Sequence, residues 1–185
     1  MNESPISYIP NAISDPDGWL ERLTQNLPWF RRNVKLYGKT HPVPRDEVWI
    51  GEKPYKYSGH TYPAAPWPEN ILPLKAIAEA VTGITYNSVL LNLYRDGRDK
   101  VAWHCDCEDD MSACHPICSM SLGATRKFQY RLRSPKDSPI TTVPLESGSI
   151  CLMSAGMQQN WYHQVPSEPK VTKPRINLTF RVMSK

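Results

Sequence analysis

From residue 174 to residue 182 the chain reads Pro-Arg-Ile-Asn-Leu-Thr-Phe-Arg-Val, with apolar and polar residues in strict alternation. Successive side chains of an extended strand point to opposite faces. Ile176, Leu178, Phe180 and Val182 therefore share an apolar face, and Arg175, Asn177, Thr179 and Arg181 share a polar one. A sheet with one solvated face accounts for such a pattern. Two arginines bracketing a short strand that follows a proline suit something more specific. Six residues at ~3.3 Å per residue set the arginine backbones about 20 Å apart. With each side chain reaching inward, the remaining gap suits a short dicarboxylate held at one or both ends. The guanidinium fits that task, because its planar fork binds carboxylate bidentately and keeps its charge when buried.

The segment Leu90-Leu91-Asn92-Leu93-Tyr94 has the same design, with Asn92 and Tyr94 on one face of an otherwise apolar strand. A buried amide and phenol need partners, either a neighbouring loop or a bound carboxylate. Further strands are expected at 88–94, 101–106, 117–122, 127–133, 149–153, 160–165 and 175–182. Close spacing of short strands after a helical start points to an all-β sandwich or barrel core. Eighteen prolines against nine glycines also favour short elements joined by stiff turns. Two helices are expected. One opens at Asp15-Pro16, a cap followed by proline at the first helical position, and runs to about Leu27. The other runs from about Glu69 to Val81 and stops at Gly83.

If residues 101–106 are extended, His104 and Asp106 project from one face. With His163 from another aromatic strand they make a two-histidine, one-carboxylate facial triad, which leaves coordination positions open as in non-haem Fe(II) oxygenases. His-x-Asp is a weak signal alone, and a core histidine explains it about as well. The two arginines and the Asn92/Tyr94 pair shift the balance toward an oxygenase site.

The net charge of +4 permits a polyanionic partner without demanding one. Its distribution is more informative. Residues 22–45 carry six Lys/Arg and no acid, and residues 111–136 carry five and no acid. No stretch is long and apolar enough to span a membrane, and the first residues lack a secretion signal. The expectation is a monomer that is not secreted and does not engage a membrane: cytoplasmic if bacterial, nuclear or cytoplasmic if eukaryotic. Five cysteines without an export signal are expected to be reduced thiols.

The motifs Asn92-Leu93-Tyr94, His104-Cys105-Asp106, Ser121-Leu122-Gly123-Ala124-Thr125-Arg126, His163-Gln164-Val165-Pro166 and 174–181 together resemble the AlkB family of DNA/RNA alkylation-repair dioxygenases, in order and spacing, over about residues 55–181. That resemblance implies a mainly β fold with flanking helices and a double-stranded β-helix (jelly-roll) core. It implies one domain over 1–185: a nucleotide-recognition extension to about residue 83, with helices and a hairpin, and the jelly-roll from about 84 to 185. It implies Fe(II) on His104, Asp106 and His163, with O2 and 2-oxoglutarate as co-substrates. Asn92, Tyr94, Arg175, Asn177, Thr179 and Arg181 would contact 2-oxoglutarate. The implied reaction removes N-alkyl lesions such as 1-methyladenine and 3-methylcytosine from DNA or RNA, releasing formaldehyde. Tyr57 would stack on the damaged base opposite His104, with Tyr55 alongside and Glu108 at the base's polar edge. Leu36 or Tyr37, in the basic and apolar segment 31–39, would part the strands. The basic run 126–136 would be a second backbone contact.

Two alternatives stay open at this point. Cys105, Cys107, Cys114 and Cys118, with His115, are candidates for a zinc site in a nucleic-acid-binding module, although the spacing is not that of a standard zinc finger. In a strand, Cys105 and Cys107 would face away from His104 and Asp106. The other alternative keeps the oxygenase chemistry and replaces nucleic acid with a different substrate.

Overall fold

The computed structural model describes residues 4–36, 38–57, 60–107, 111–112 and 114–184. Ten of its strands form two antiparallel sheets. The larger contains β1 (Ile6–Ile9), β4 (Asp46–Gly51), β7 (Ser88–Tyr94), β9 (Ile117–Gly123), β12 (Ser149–Met153) and β14 (Arg175–Arg181), in the spatial order β1-β12-β9-β14-β7-β4. The smaller contains β8 (Val101–His104), β10 (Arg126–Leu132), β11 (Thr141–Leu145) and β13 (Trp161–Val165), in the order β11-β10-β13-β8. Two hairpins stand apart from these sheets: β2 (Asn33–Leu36) with β3 (Lys39–Pro42), and β5 (Tyr55–Tyr57) with β6 (His60–Tyr62).

Three helices are found among the described residues. The first, α1 (Pro16–Asn26), starts as expected: Asp15 Oδ1 accepts from Gly18 N, and proline opens the helix. The second, α2 (Leu72–Thr82), ends at Gly83, whose φ of 69° lies in the left-handed region that glycine adopts without penalty. It begins three residues later than expected. The short α3 (Met157–Asn160) and the strand β11 were not expected at all.

The alternation along β14 sorts the molecule into layers. Ile176, Leu178 and Phe180 face a core of β4, β7 and β9 side chains, together with Leu23 from α1 and Leu74 and Ala78 from α2. A second core, which includes Ile117, Phe128, Tyr130, Met153 and Val165, fills the space between the two sheets. The polar face of β14 turns toward this inner space. All seven residues of β14 are buried, so its polar face is not a wet one. This is the jelly-roll arrangement of a mainly β chain with flanking helices.

The residues before about 83 are tied into the larger sheet. β1 pairs with β12 and β4 pairs with β7, so the N-terminal third supplies both edges of the larger sheet. Both edge strands are short and find their partners far along the chain, beyond the reach of local sequence patterns.

Candidate active site

The strand β8 stops at His104, two residues short of the expectation, so Asp106 lies just outside it. The two side chains nevertheless meet. His104 Nε2 is 3.5 Å from Asp106 Oδ1, and His163 Nε2 is 3.9 Å from Asp106 Oδ2. His163 comes from β13, which pairs with β8 so that His163 lies opposite His104, with ring centroids 4.1 Å apart. The metal-binding atoms of the three residues all lie within 4.8 Å of one another. Among the described residues this is the one group of three His, Cys, Asp or Glu side chains close enough to share a metal.

Local hydrogen bonds orient the three donors. His104 Nδ1 is 2.9 Å from the carbonyl oxygen of Ala102. A carbonyl only accepts, so Nδ1 carries a proton, which leaves Nε2, on the Asp106 side, as the nitrogen a metal would take. Burial pushes His163 down to about 3, with His104 adding to the shift, so its imidazole is neutral at ordinary pH. Burial opposes charge on Asp106, but Arg181 and the two imidazoles outweigh it and hold the carboxyl well below the usual range. Gln158 of α3 accepts from Asp106 N at 2.8 Å and so fixes the backbone beyond β8.

The cleft that contains these donors continues along the polar face of β14. Arg175 lies opposite Tyr94, and Asn177 opposite Asn92. The same cleft is lined by Thr179 and Arg181 of β14 and by Arg45, Glu47 and Ser119. Arg181 Nη2 is 3.0 Å from Asp106 Oδ1, so Arg181 marks the end nearest the three donors. Arg175 marks the other end and is 1% exposed. Its Nη2 donates to Ser121 Oγ at 2.9 Å, but Nε and Nη1 have no hydrogen-bond partner among the described residues. Burial pushes its pKa down, yet no acid pairs with it among the described ion pairs. A buried guanidinium with two unpartnered nitrogens lining a cleft is the arrangement an anionic ligand would complete. A dicarboxylate therefore fits one end of the cleft, and a divalent metal fits the other.

Several residues here were not anticipated. Arg45 and Glu47 line the cleft, Gln158 supports Asp106, and Ser121 supports Arg175. Glu47 left a trace in the sequence as an acid beside the apolar run Val48-Trp49-Ile50, and Ser121 as the first residue of the motif 121–126, but neither pattern assigned a role.

Each basic run has members that turn inward. Arg32 and Arg45 are buried against Glu47, and Arg31 pairs with Asp46; these acids sit just past the run that seemed to have none. Arg126 is also buried, donating to the carbonyls of Asp96, Asp99 and Pro166 and to Glu168 Oε2. It is thus not available as a backbone contact for nucleic acid.

The cysteines also differ from expectation. Cys105 and Cys107 form a disulfide, made close by the chain leaving its extended path after His104. The other three are free, and burial pushes the Cys118 and Cys151 thiols up to about 12. Cys118 sits in the helix-side core and Cys114 is exposed, so the cysteines do not assemble a zinc site. Among the residues expected at the substrate, Tyr55 and Tyr57 lie on the hairpin strand β5. Tyr37 and Glu108 lie outside the described residues.

The chain matches the 2OG-Fe(II) oxygenase superfamily over residues 6–181. It is 38% identical over 179 residues to rat alpha-ketoglutarate-dependent dioxygenase alkB homolog 3, covering 92% of this chain and 61% of that protein. The human homolog 3 protein is likewise 38% identical, over 92% of this chain and 63% of its own length. Human DNA oxidative demethylase ALKBH2 is 34% identical, over 91% of this chain and 69% of its own. The chain thus spans less than two thirds of the length of the homolog 3 proteins. The solved structure of OsALKBH1 shares the fold, with a TM-score of 0.65 at 18% identity over 98% of this chain and 99% of that one. No helix among the described residues is long and apolar enough to cross a membrane. With the three-donor cluster and the arginine-ended cleft, these likenesses establish that the chain belongs to the AlkB family of Fe(II)- and 2-oxoglutarate-using oxygenases.

Proposed function

We propose that this chain is an oxidative demethylase that removes N-alkyl groups from nucleobases in DNA or RNA, acting as a monomer and a single catalytic domain. The observation that carries this is the pairing, in one cleft, of three convergent metal donors with a buried Arg175 whose Nε and Nη1 have no hydrogen-bond partner among the described residues. The names of the homolog 3 and ALKBH2 relatives support both the dioxygenase chemistry and a DNA substrate.

On this proposal His104, Asp106 and His163 hold Fe(II). Bound Fe(II), with O2 and 2-oxoglutarate, supplies the oxidant for an N-methyl carbon, whose hydroxylated product releases formaldehyde. Arg175 grips one carboxylate of 2-oxoglutarate, with Tyr94 against its guanidinium and Ser121 fixing Nη2. Asn92, Asn177 and Thr179 border the same ligand along its length, and Arg181 serves the metal end. The protein's task is placement: it aligns the reactants and keeps the oxidant from its own side chains. Tyr57 would stack on the extruded base with Tyr55 beside it, Glu108 would favour a cationic methylated base, and Tyr37 would help part the strands.

The test is an anaerobically prepared Fe(II) protein supplied with O2, 2-oxoglutarate and oligonucleotides carrying 1-methyladenine or 3-methylcytosine. Stoichiometric formaldehyde and succinate are expected, with both lost in His104→Ala. Turnover of 2-oxoglutarate without formaldehyde from any oligonucleotide, DNA or RNA, would instead assign a substrate that is not nucleic acid.

A further inference from the structure

The orientation of the Asn92 amide is set by a residue that the proposed reaction does not otherwise use. Arg45 immediately precedes β4, whose Asp46 and Glu47 lie opposite Leu93 and Asn92 of β7. Arg45 Nε donates to Asn92 Oδ1 at 2.7 Å, and Arg45 Nη2 lies 2.5 Å from Glu47 Oε1. Arg32 Nε holds the other Glu47 oxygen at 3.1 Å. The Arg32, Arg45 and Glu47 side chains are 4%, 9% and 2% exposed, so the cluster is shielded from water.

A guanidinium only donates, whereas an amide both donates and accepts. Arg45 can therefore face only the oxygen of Asn92. The reverse orientation would press two donors together in a buried setting, leaving both unsatisfied. The Asn92 NH2 group must point the other way. It has no hydrogen-bond partner among the described residues, and Asn92 lines the cleft that runs between Arg175 and Arg181. Its neighbour across the strands, Asn177, is differently engaged: its Nδ2 donates to Ser119 Oγ and to the Met120 carbonyl, and its Oδ1 accepts from Thr179. Of the two facing amides, only Asn92 keeps its donor for a ligand.

We propose that Arg45, anchored by Glu47, is a positioning residue that locks the Asn92 amide with its N–H groups toward the cleft, so that the co-substrate site selects an acceptor-only group such as a carboxylate. This rests on the reading of the cleft as the 2-oxoglutarate site. Arg45 touches Asn92 rather than the ligand, and its effect on binding passes through that amide.

The test measures 2-oxoglutarate binding to Mn(II)-loaded protein by calorimetry, with kcat and KM measured separately on the Fe(II) enzyme. Arg45→Met should weaken 2-oxoglutarate about tenfold, the scale of a hydrogen bond to a charged group. KM should rise by a similar factor while kcat at saturating co-substrate changes less than about twofold. Arg45→Lys keeps a donor and a charge next to Glu47, so it should recover most of the affinity and provides a folded comparison if the methionine variant is unstable. The deciding arm is the Asn92→Ala background, where Arg45→Met should have little further effect. An undiminished tenfold loss there, or no loss in Arg45→Met alone, would overturn the positioning role. Wild-type protein that binds no 2-oxoglutarate would overturn the assignment of the cleft, and this proposal with it.

Discussion

Arg181 Nη2 lies 3.0 Å from Asp106 Oδ1, and the two side chains are 4% and 6% exposed. The pair sits at the metal end of the cleft, and it explains how a deeply buried carboxyl stays ionised without a metal. Removing one partner of a buried ion pair leaves an uncompensated charge and typically costs about 3–5 kcal/mol. Arg181→Gln should therefore lower the stability of the metal-free protein by about 3 kcal/mol. A divalent cation on the three donors would neutralise Asp106 in place of the guanidinium. The gap between variant and wild type should then narrow as Mn(II) is added, read as the urea midpoint with and without the ion. An equal loss at every metal concentration would mean that Arg181 stabilises the fold independently of the donor cluster.

The buried histidine predicts acid sensitivity of the metal-free protein. Burial holds folded His163 down to about 3, whereas an unfolded histidine titrates near 6.5. Between those values the unfolded chain takes up a proton that the folded chain refuses. Stability is therefore fully present above pH of about 6.5 and falls as pH drops toward about 3, by up to about 1.4 kcal/mol per pH unit. Asp106 adds to the loss below pH of about 4, where the unfolded carboxyl protonates while the folded one stays ionised. Urea midpoints of chelator-treated protein should fall steadily from pH 7 to pH 4, and His163→Gln should flatten the upper part of that curve. A wild-type midpoint constant over this range would contradict a neutral buried His163.

Which parts of this were legible in the sequence depended on the range of the interactions involved. The β14 face was legible because alternation is a local property and the strand is buried on both faces. The pairing of His104 with Asp106 was anticipated on the premise that both lie in one strand. The strand ends at His104, and Gln158, far along the chain, holds the next segment so that Asp106 still turns back. Nothing within five residues of Asp106 encodes that contact. Arg32 read as part of a nucleic-acid-facing segment, and Arg45 as the end of an unpaired basic run, because their common partner, Glu47, falls outside that run; the pairing of β4 with β7 brings it beside them. The edge strand β1 is four residues long and pairs with β12, so its role is a property of the sheet rather than of its own sequence.

Gly97 marks a place where two loops meet closely. Its N donates to the Val171 carbonyl at 2.7 Å, and its own carbonyl accepts from Glu168 N at 2.6 Å. A Cβ there would fall 1.8 Å from the Glu168 carbonyl oxygen, a backbone atom that cannot rotate away. These loops lead into β8 and out of β13, the strands that carry His104 and His163. Gly97→Ala should cost about 1–3 kcal/mol, the usual price of overpacking, and loosen the spacing of the two histidines. The expected signature is a lower thermal midpoint together with weaker Co(II) binding. A stability loss with unchanged Co(II) affinity would show that the loop contact does not set the donor geometry.

The basic run from 126 to 136 divides into a structural and an outward-facing part, and the two should respond differently to substitution. Arg126 is 1% exposed and spends its donors on carbonyls and Glu168, so Arg126→Met should destabilise the fold. Arg131 and Arg133 lie on the outer side of the smaller sheet, stacked 4.8 Å over Trp103 and 4.9 Å over Tyr162. Arg131 is half-buried and donates to the Lys136 carbonyl, whereas Arg133 is exposed and, beyond its bond to the Gln159 carbonyl, keeps N–H groups for phosphate beside a ring that offers a flat face to an unpaired base. Each phosphate contact on a single strand contributes about −0.7 to the slope of log K against log salt concentration. Arg133→Ala should therefore weaken binding of a methylated single-stranded oligonucleotide and reduce that slope by about 0.7, with the thermal midpoint little changed. Arg126→Met should show the converse, a lower midpoint with the slope intact. An unaltered slope in Arg133→Ala would remove this face from the nucleic-acid path and leave the β2–β3 and β5–β6 hairpins to carry it.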